Sequence, residues 1–128
     1  MKYNIHNKLF FVKLSRNKLI KRIAVCRTTD FMCYNYALKN IELVSSIFAV
    51  RFVLKNYKNV NIKNIKTGDL IMFWDSNCIY HFAILVKTNK NINDIVVKGK
   101  FGSGDIYKHT LKNTPLEYGI EVNFWRKK

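Results

Sequence analysis

Proline, glycine and cysteine are all scarce in this chain, and each scarcity narrows what the protein can be. With one proline, Pro115, and five glycines in 128 residues, no linker rich in proline, glycine or serine divides the chain, and it has no internal repeat. Three cysteines, Cys26, Cys33 and Cys78, cannot all pair with one another, so we expect reduced thiols. Hydrophobic residues make up 48% of the chain, enough for one modest core without disulfide or metal.

Long hydrophobic runs are also missing. The stretch Leu9–Val12 is short, ends at Lys13 and has no small-residue cleavage site after it, which is not the pattern of a signal peptide. The best apolar run, Ile47–Leu54, is interrupted by Arg51 and is far below the ~20 residues that a membrane span needs. We therefore expect a soluble protein without a transmembrane segment, located in the cytoplasm by default; export without a cleaved signal stays open.

Acidic residues are few: 8 Asp and Glu stand against 23 Lys and Arg, a formal net charge of +15. Such a field attracts polyanions, which include nucleic acid, teichoic acid, anionic lipid and acidic protein surfaces. The segment Lys58–Lys66 is rich in Lys, Asn and Ile together, as an AT-rich genome would also produce. The charge alone leaves both explanations open, a polyanion site and a compositional origin.

Helical patterns come first along the chain. Residues 1–25 are interpreted as a basic N-terminal arm, packed or mobile, with a short strand around Leu9–Leu14 and helical spacing within Arg16–Arg22 and on to Ile23. Residues 26–128 are interpreted as a single domain. In it Asp30 is placed as the N-cap of a helix over Phe31–Leu38, and amphipathic helical spacing continues from Ile41 to Leu54.

Strand patterns follow the helices. Lys55–Lys66 is polar and predicted to be a loop. The runs Leu70–Trp74 and Tyr80–Val86, with a turn at Asp75-Ser76-Asn77, predict an antiparallel hairpin. Ile95–Val97 and Tyr118–Trp125 predict two more strands, separated by a glycine-containing loop over Lys100–Leu111. The fold class is therefore predicted to be α+β, with N-terminal helices packed on a C-terminal antiparallel sheet.

Cys33 and His81 are the candidate nucleophile and base. With Asp30 as N-cap, Cys33 is the third residue of its helix, where unpaired backbone N–H groups and the helix dipole favour thiolate over thiol. His81 opens the second strand of the hairpin. A helix N-terminus packed on a sheet edge can bring the two side chains within hydrogen-bond reach, the arrangement that nucleophilic catalysis by cysteine requires.

These residues also carry a family resemblance. Cys33–Leu38 resembles the cysteine-bearing helix of the NlpC/P60 and CHAP group of papain-like hydrolases. Lys66–Trp74 resembles the group's Gly-Asp-hydrophobic strand entry, and His81–Val86 resembles its histidine strand. The C-terminal part is similar to small relatives that end in a Lys-Trp-Gly, His, Tyr-Gly pattern. The similar residues here are Lys100-Phe101-Gly102, His109, Tyr118-Gly119 and Phe124-Trp125-Arg126. The resemblance covers roughly residues 26–126, and it departs where the usual Asp-Cys-Ser-Gly is Met32-Cys33-Tyr34-Asn35.

The resemblance implies a papain-like core and a cysteine peptidase or amidase that needs no metal or cofactor. Cys33 would attack an amide or ester carbonyl, and His81 would act as base and then protonate the leaving group. The resemblance also implies a third residue that orients the histidine, and His109 is the first candidate and Asp94 the second. The remaining candidate, Lys98, is set aside because a lysine cannot accept a hydrogen bond from the imidazole. The N–H of Cys33 and a hydroxyl of Tyr34 or Tyr36 would form the oxyanion site. The implied substrate is peptide-like, commonly a peptidoglycan stem peptide.

Three alternatives stay beside this reading. A zinc site of Cys26, Cys33, Cys78 and His81 is disfavoured, because six residues separate the first two cysteines where two to four are usual. An acyltransferase or a protein deamidase would use the same chemistry with another acceptor or amide. A non-catalytic basic module that binds nucleic acid or another polyanion would need only the charge.

Overall fold

Two helices and eight strands make up the regular structure that the computed structural model describes, which covers residues 10–13, 20–24, 32–40, 42–75, 78–101 and 104–128. The helices are α1 (Cys33–Leu38) and α2 (Ser46–Asn56). The strands are β1 (Phe10–Phe11), β2 (Ile20–Ala24), β3 (Tyr57–Val60), β4 (Leu70–Asp75), β5 (Cys78–Lys87), β6 (Val96–Lys100), β7 (Ile106–Thr110) and β8 (Glu121–Lys127). The predicted α+β class is confirmed.

All described strands join one antiparallel sheet in the order β1–β8–β4–β5–β6–β7–β2. Strand β8 carries two short strands along one edge: β1 pairs with its N-terminal half through Phe10↔Val122, and β3 pairs with its C-terminal half through Val60↔Phe124. The predicted hairpin is the pair β4 and β5, at the centre of the sheet. Two segments of the predicted N-terminal arm, β1 and β2, are thus edge strands of the sheet; the division of the chain at residue 25 itself stays a prediction.

Both faces of the sheet are covered, which explains the uninterrupted apolar run in β4. Side chains alternate along a strand, so Leu70, Met72 and Trp74 face the helices, while Ile71 and Phe73 face away from them. All five are buried, as in strands that pack on two sides. The helix-side core adds Ala49 and Val53 of α2, Leu38 of α1, and Phe82 and Trp125 of the sheet; the opposite core adds Leu85, Ile95, Val97, Leu111, Val122 and Phe124.

One amide holds the helix-side core in register. Asn123 is fully buried on β8, and its Oδ1 accepts hydrogen bonds from the indole Nε1 of Trp74 at 3.0 Å and of Trp125 at 2.9 Å. Buried indole N–H groups need such a partner. The predicted alternation of the last strand holds, and its polar residue at 123 faces the core because two tryptophans require an acceptor there.

The predicted start of α1 is wrong by two residues. The N-cap is Met32 rather than Asp30, which lies outside the described residues, so Cys33 is the first helical residue and not the third. The second helix is a separate element that begins after Ser45, whose Oγ accepts from the N–H of Phe48 at 3.3 Å. A side-chain acceptor at Ser45 and a left-handed Lys39 (φ 53°) at the end of α1 separate the two helices.

Three segments that the sequence assigns to loop or helix contain strands. The polar stretch 55–66 includes β3, and the glycine-containing stretch 100–111 includes β7. The helical spacing around Arg16–Arg22 ends in β2, which pairs with β7 from Ile20↔His109 onward, while residues 14–19 lie outside the described part. These three strands are stabilised by pairing with their neighbours in the sheet, which a local hydrophobic pattern does not reveal. Among the described residues, no helix is long and apolar enough to cross a membrane.

Candidate active site

The Cys33 thiol lies where α1 meets the central strand β5. Cys33 is 8% exposed, and the backbone N–H groups of Phe82, Tyr34 and Cys33 itself donate hydrogen bonds toward its sulfur. The thiol lines a pocket of about 330 Å³ together with Tyr34, Phe82 and Tyr118; the remaining lining comes from Met32, Ser46 and Ile79. The pocket is mainly apolar, and it gives the sulfur its access to solvent.

Burial dominates the protonation state of this thiol. Loss of water raises the pKa of Cys33, and the three N–H groups and the ammonium of Lys100 lower it by less. The expectation that the helix start makes Cys33 a thiolate is therefore wrong for this structure: at neutral pH the group is a thiol. The physical reason is that desolvation of the anion outweighs the donors at the start of a helix of six residues.

Asn35 fixes the orientation of α1, and the sequence analysis missed it. Its Oδ1 accepts from the N–H of Met32 at 2.9 Å, and its Nδ2 donates to the carbonyl oxygens of Asn40 and Leu43, both at 2.9 Å. The side chain is 2% exposed. One amide thus links the start of the helix that carries Cys33 to the loop before α2. A polar residue among Tyr34, Tyr36 and Ala37 is the signal that could have identified it.

His81 is fully buried on the face of the sheet opposite the helices. Its imidazole stacks on the ring of Tyr118, with centroids 4.2 Å apart and planes 6° apart, and it contacts Phe73 at 5.2 Å and Phe101 at 5.8 Å. Burial, and after it the positive charge of His109, lowers the pKa of His81 to about 3. Neither ring nitrogen forms a hydrogen bond with any residue in the described part of the chain. The imidazole is therefore neutral at physiological pH.

The thiol and the imidazole approach the same stretch of β5. The pairing of β5 with β6 runs from Lys87↔Val96 to Ile84↔Lys98, and beyond it the N–H of Phe82 points to the Cys33 sulfur. A Cβ added at Gly99 would lie 3.0 Å from Nε2 of His81 and 3.2 Å from the carbonyl oxygen of Phe82. The absence of a side chain at Gly99 therefore gives the imidazole its place beside the backbone that contacts the thiol. The two groups do not form the expected hydrogen bond, because Cys33 belongs to the core on the helix side of the sheet whereas His81 pairs with Phe73 on the opposite face.

Tyr118 is the second residue that sequence reasoning missed. It stacks on His81, lines the pocket of Cys33, and its pKa is raised to about 12 by burial first and by the charges of Cys33, Glu117 and Tyr107 after it. The following Gly119 has φ 84°, and a Cβ there would lie 2.3 Å from the carbonyl oxygen of Trp74. The turn that presents Tyr118 therefore depends on glycine. The Tyr-Gly dipeptide was visible in the sequence, but its position beside both candidate residues was not.

The two candidates for the third residue lie in different places. His109 is 3% exposed on β7, its Nδ1 is 2.7 Å from the carbonyl oxygen of Thr110, and its ring faces Phe101 with centroids 5.7 Å apart, so the ring of Phe101 contacts both histidines. Asp94 does not accompany His81. Its carboxylate lies before β6 at the surface, 3.0 Å from the ammonium of Lys112, and this ion pair accounts for it.

The two tyrosines proposed for the oxyanion site lie on different sides of α1. Tyr34 lines the thiol pocket and packs edge-on against Phe82, with centroids 6.2 Å apart, and burial raises its pKa. Tyr36 lines a different groove, at the C-terminal end of the helix. The structure therefore brings Tyr34 to the thiol and does not bring Tyr36 there. Residues two positions apart on a helix point to nearly opposite sides of its axis.

Neither grouped metal ligands nor a similar protein identifies the function of this site. In the described part of the chain no three His, Cys, Asp or Glu side chains are grouped to hold a metal ion, and Cys26 of the alternative zinc set lies outside that part. Comparisons of the chain with models of protein families, with curated proteins and with solved structures find no match.

Proposed function

We propose that this protein is a cysteine hydrolase of the NlpC/P60 type, with Cys33 as nucleophile and His81 as general base, acting on an amide bond of a peptide-like substrate. The observation that supports the proposal is that the two groups lie against the same stretch of β5, the thiol on the helix side of the sheet and the imidazole on the other side. The thiol accepts from the N–H of Phe82, and the residue before Phe82 is a fully buried neutral imidazole with no hydrogen bond to a described residue. Buried polar groups without a partner are rare, and they need an explanation.

Burial keeps Cys33 a thiol and His81 a neutral imidazole, so the pair holds one transferable proton and one acceptor. Both pKa shifts raise the free-energy cost of moving a proton from Cys33 to His81, so the transfer requires a bound substrate or a movement that stabilises the resulting ions. When a carbonyl carbon enters the thiol pocket, Sγ forms the new bond to it as His81 takes the thiol proton. Donors beside the sulfur, the N–H groups of Cys33 and Tyr34, are close to where the oxyanion develops.

The remaining steps follow from the same two groups. The protonated His81 returns its proton to the leaving nitrogen as the C–N bond breaks, which leaves a thioester on Cys33. Water then attacks that thioester while His81 takes one of its protons, and the S–C bond breaks to regenerate the thiol. Access from the thiol pocket and closer approach of the imidazole are both required, because the two groups are not hydrogen-bonded at rest.

The thiol of Cys78 provides an internal comparison for the reactivity of Cys33. Cys78 is exposed, whereas Cys33 is buried, so exposure alone predicts that Cys78 reacts faster. We expect p-nitrophenyl acetate at pH 7.5 to acetylate Cys33 faster than Cys78, as measured by mass spectrometry of the peptides. The variant His81→Gln should lower the Cys33 rate at least tenfold and leave the Cys78 rate unchanged, since a general base typically contributes ~10²–10⁴.

Controls separate reactivity from folding. Circular dichroism of His81→Gln establishes that the variant is folded, and Cys78→Ser should leave Cys33 acetylation unchanged. Cys33 reacting more slowly than Cys78, with no response to His81→Gln, would contradict the proposed pair. Digestion of muropeptides, followed by chromatography, then tests the substrate class, and Cys33→Ser should abolish any cleavage.

A further inference from the structure

A continuous basic groove occupies the surface at the C-terminal end of α1. It consists of two adjoining concavities of about 630 and 970 Å³, which share Lys66 and Arg126 in their linings. We call this surface the basic groove, and its lysines are Lys39, Lys58, Lys63, Lys66, Lys98 and Lys127.

The carboxylates that line the basic groove do not offset the positive charge of its lysines. Among the described residues the one acidic side chain that lines the basic groove is Asp69, and it is 3% exposed. Arg126 neutralises it through two hydrogen bonds of 2.7 Å, from Nε to Oδ1 and from an Nη to Oδ2, and the N–H of Lys66 donates to Oδ2 as well. The buried ion pair therefore uses the arginine and leaves the lysines facing solvent.

Three acidic residues lie near the thiol pocket and not in the basic groove. Glu121 pairs in register with Trp74, Asp75 abuts Gly119, and Glu117 acts on Tyr118, all of them near the thiol pocket. The basic groove thus combines six lysines with no exposed carboxylate among its described lining residues, which points to an anionic ligand.

Aromatic rings and amides line the same surface. Tyr36 and Tyr57 are both half-buried in the groove, and Tyr57 is braced by Phe52, with ring centroids 6.3 Å apart. The amide side chains of Asn59 and Asn61 lie beside the lysines. A positively charged groove with aromatic faces is the combination by which proteins hold single-stranded nucleic acid, the cations following the phosphates and the rings stacking on bases.

We propose that the basic groove binds single-stranded nucleic acid, with its lysines on the phosphates and with Tyr36 and Tyr57 against the bases. This site is separate from the thiol pocket, which Cys33 lines at the N-terminal end of α1, whereas Lys39 lies just after the C-terminal end. Binding needs neither Cys33 nor His81, so it can hold or fail independently of the hydrolase proposal.

The test is the binding of a fluorescently labelled dT20 oligonucleotide to the full chain, followed by anisotropy from 50 to 300 mM NaCl. The triple variant Lys58→Gln, Lys66→Gln and Lys127→Gln should weaken binding at least tenfold. It should also reduce the slope of log K against log salt by about 2, because each phosphate contact contributes ~0.7 on a single strand. The matched control is Lys87→Gln, Lys90→Gln and Lys108→Gln, three exposed lysines outside the groove, which should change affinity less than twofold.

A second arm identifies the ligand. Tyr36→Leu with Tyr57→Leu should weaken dT20 binding at least fivefold while binding of inorganic polyphosphate, which has no bases, stays the same. Equal loss in the groove and control triple variants would overturn the site, as would no measurable binding at 50 mM NaCl. Equal affinity for dT20 and polyphosphate, with no effect of the tyrosine variants, would overturn nucleic acid as the ligand and assign the groove to a phosphate polymer.

Discussion

His81 loses its water on folding and gains no hydrogen bond from a described residue in return. The free-energy cost of this burial falls on the protonated form, because a charged imidazole among Phe73, Phe101 and Tyr118 has neither solvent nor an anionic partner. The burial that weakens His81 as a proton acceptor therefore also makes the folded state sensitive to acid. Site chemistry and stability are linked through this one residue.

We expect the free energy of unfolding to fall with pH below about 6.5 because of His81. Its pKa is about 3 in the folded protein and 6.5 when unfolded, so between these values the unfolded chain binds more protons. The stability contribution is complete above 6.5 and is lost as pH falls toward 3, at ~1.4 kcal/mol per pH unit. Urea unfolding at pH 7 and pH 5 should therefore show a loss of roughly 2 kcal/mol from this group.

The control for this prediction is His81→Leu, which removes the titrating group at similar volume. The variant should lose less stability between pH 7 and pH 5 than the natural chain, whatever its absolute stability. Parallel losses in the two proteins would show that folding does not lower the pKa of His81 and would contradict this prediction.

At the scale of elements, α1 depends on tertiary contacts because six residues are too few for a helix that is stable alone. Asn35 supplies three of these contacts, to Met32 before the helix and to Asn40 and Leu43 after it. Cys33 lies between the first of these bonds and the backbone of β5. The position of the thiol is therefore set by an amide two residues away in sequence.

We expect Asn35→Ala to destabilise the protein by roughly 2–3 kcal/mol, since it orphans one backbone donor and two acceptors in a partly buried region. It should also lower the ratio of Cys33 to Cys78 acetylation, because the thiol loses its fixed position against Phe82. Urea unfolding and peptide mass spectrometry measure the two effects. Asn91→Ala removes a comparable bond, to the N–H of Asn93 at 3.0 Å, on an exposed turn; an equal change in the acetylation ratio there would contradict the positioning role of Asn35.

Local patterns predicted the elements that carry their own hydrophobic signal. The runs Leu70–Trp74 and Tyr80–Val86 are apolar enough to identify the central hairpin, and the spacing from Ile47 to Leu54 identified α2. Strands β3 and β7 were not predictable in this way, because their polar sequences are stabilised by pairing with β8 and β6. A local sequence pattern indicates which residues of a segment are buried. These two segments form strands because of the strands with which they pair.

The candidate site also contains some residues that the sequence could identify and others that it could not. Cys33 and His81 could be selected from residue chemistry and order, but the contacts that arrange them involve residues with no local signal. Tyr118 comes from the turn before β8, and Gly99 matters only because His81 of a neighbouring strand occupies the space of its missing side chain. Protonation could not be predicted either, since it is set by the depth of burial of Cys33 and not by its place on the helix.

At the scale of the whole molecule, a formal net charge of +15 opposes folding, because a compact state brings like charges together. Ion pairs act in the other direction, and among the described residues they include Asp69–Arg126, whose carboxylate is buried, and the exposed Asp94–Lys112 pair. The exposed pair is worth little, and salt would weaken it. The balance between general repulsion and a few attractions decides how stability responds to ionic strength.

We expect repulsion to dominate, so that the melting temperature rises by a few degrees between 10 and 150 mM NaCl, where the Debye length falls from ~30 to ~8 Å. Scanning calorimetry at both salt concentrations measures the shift. The variant Lys87→Glu with Lys90→Glu, at the end of β5 and on the exposed turn after it, lowers the net charge by four and should raise the melting temperature at 10 mM NaCl more than at 150 mM. A melting temperature that falls with added salt would instead show that the attractive pairs outweigh the excess of lysine.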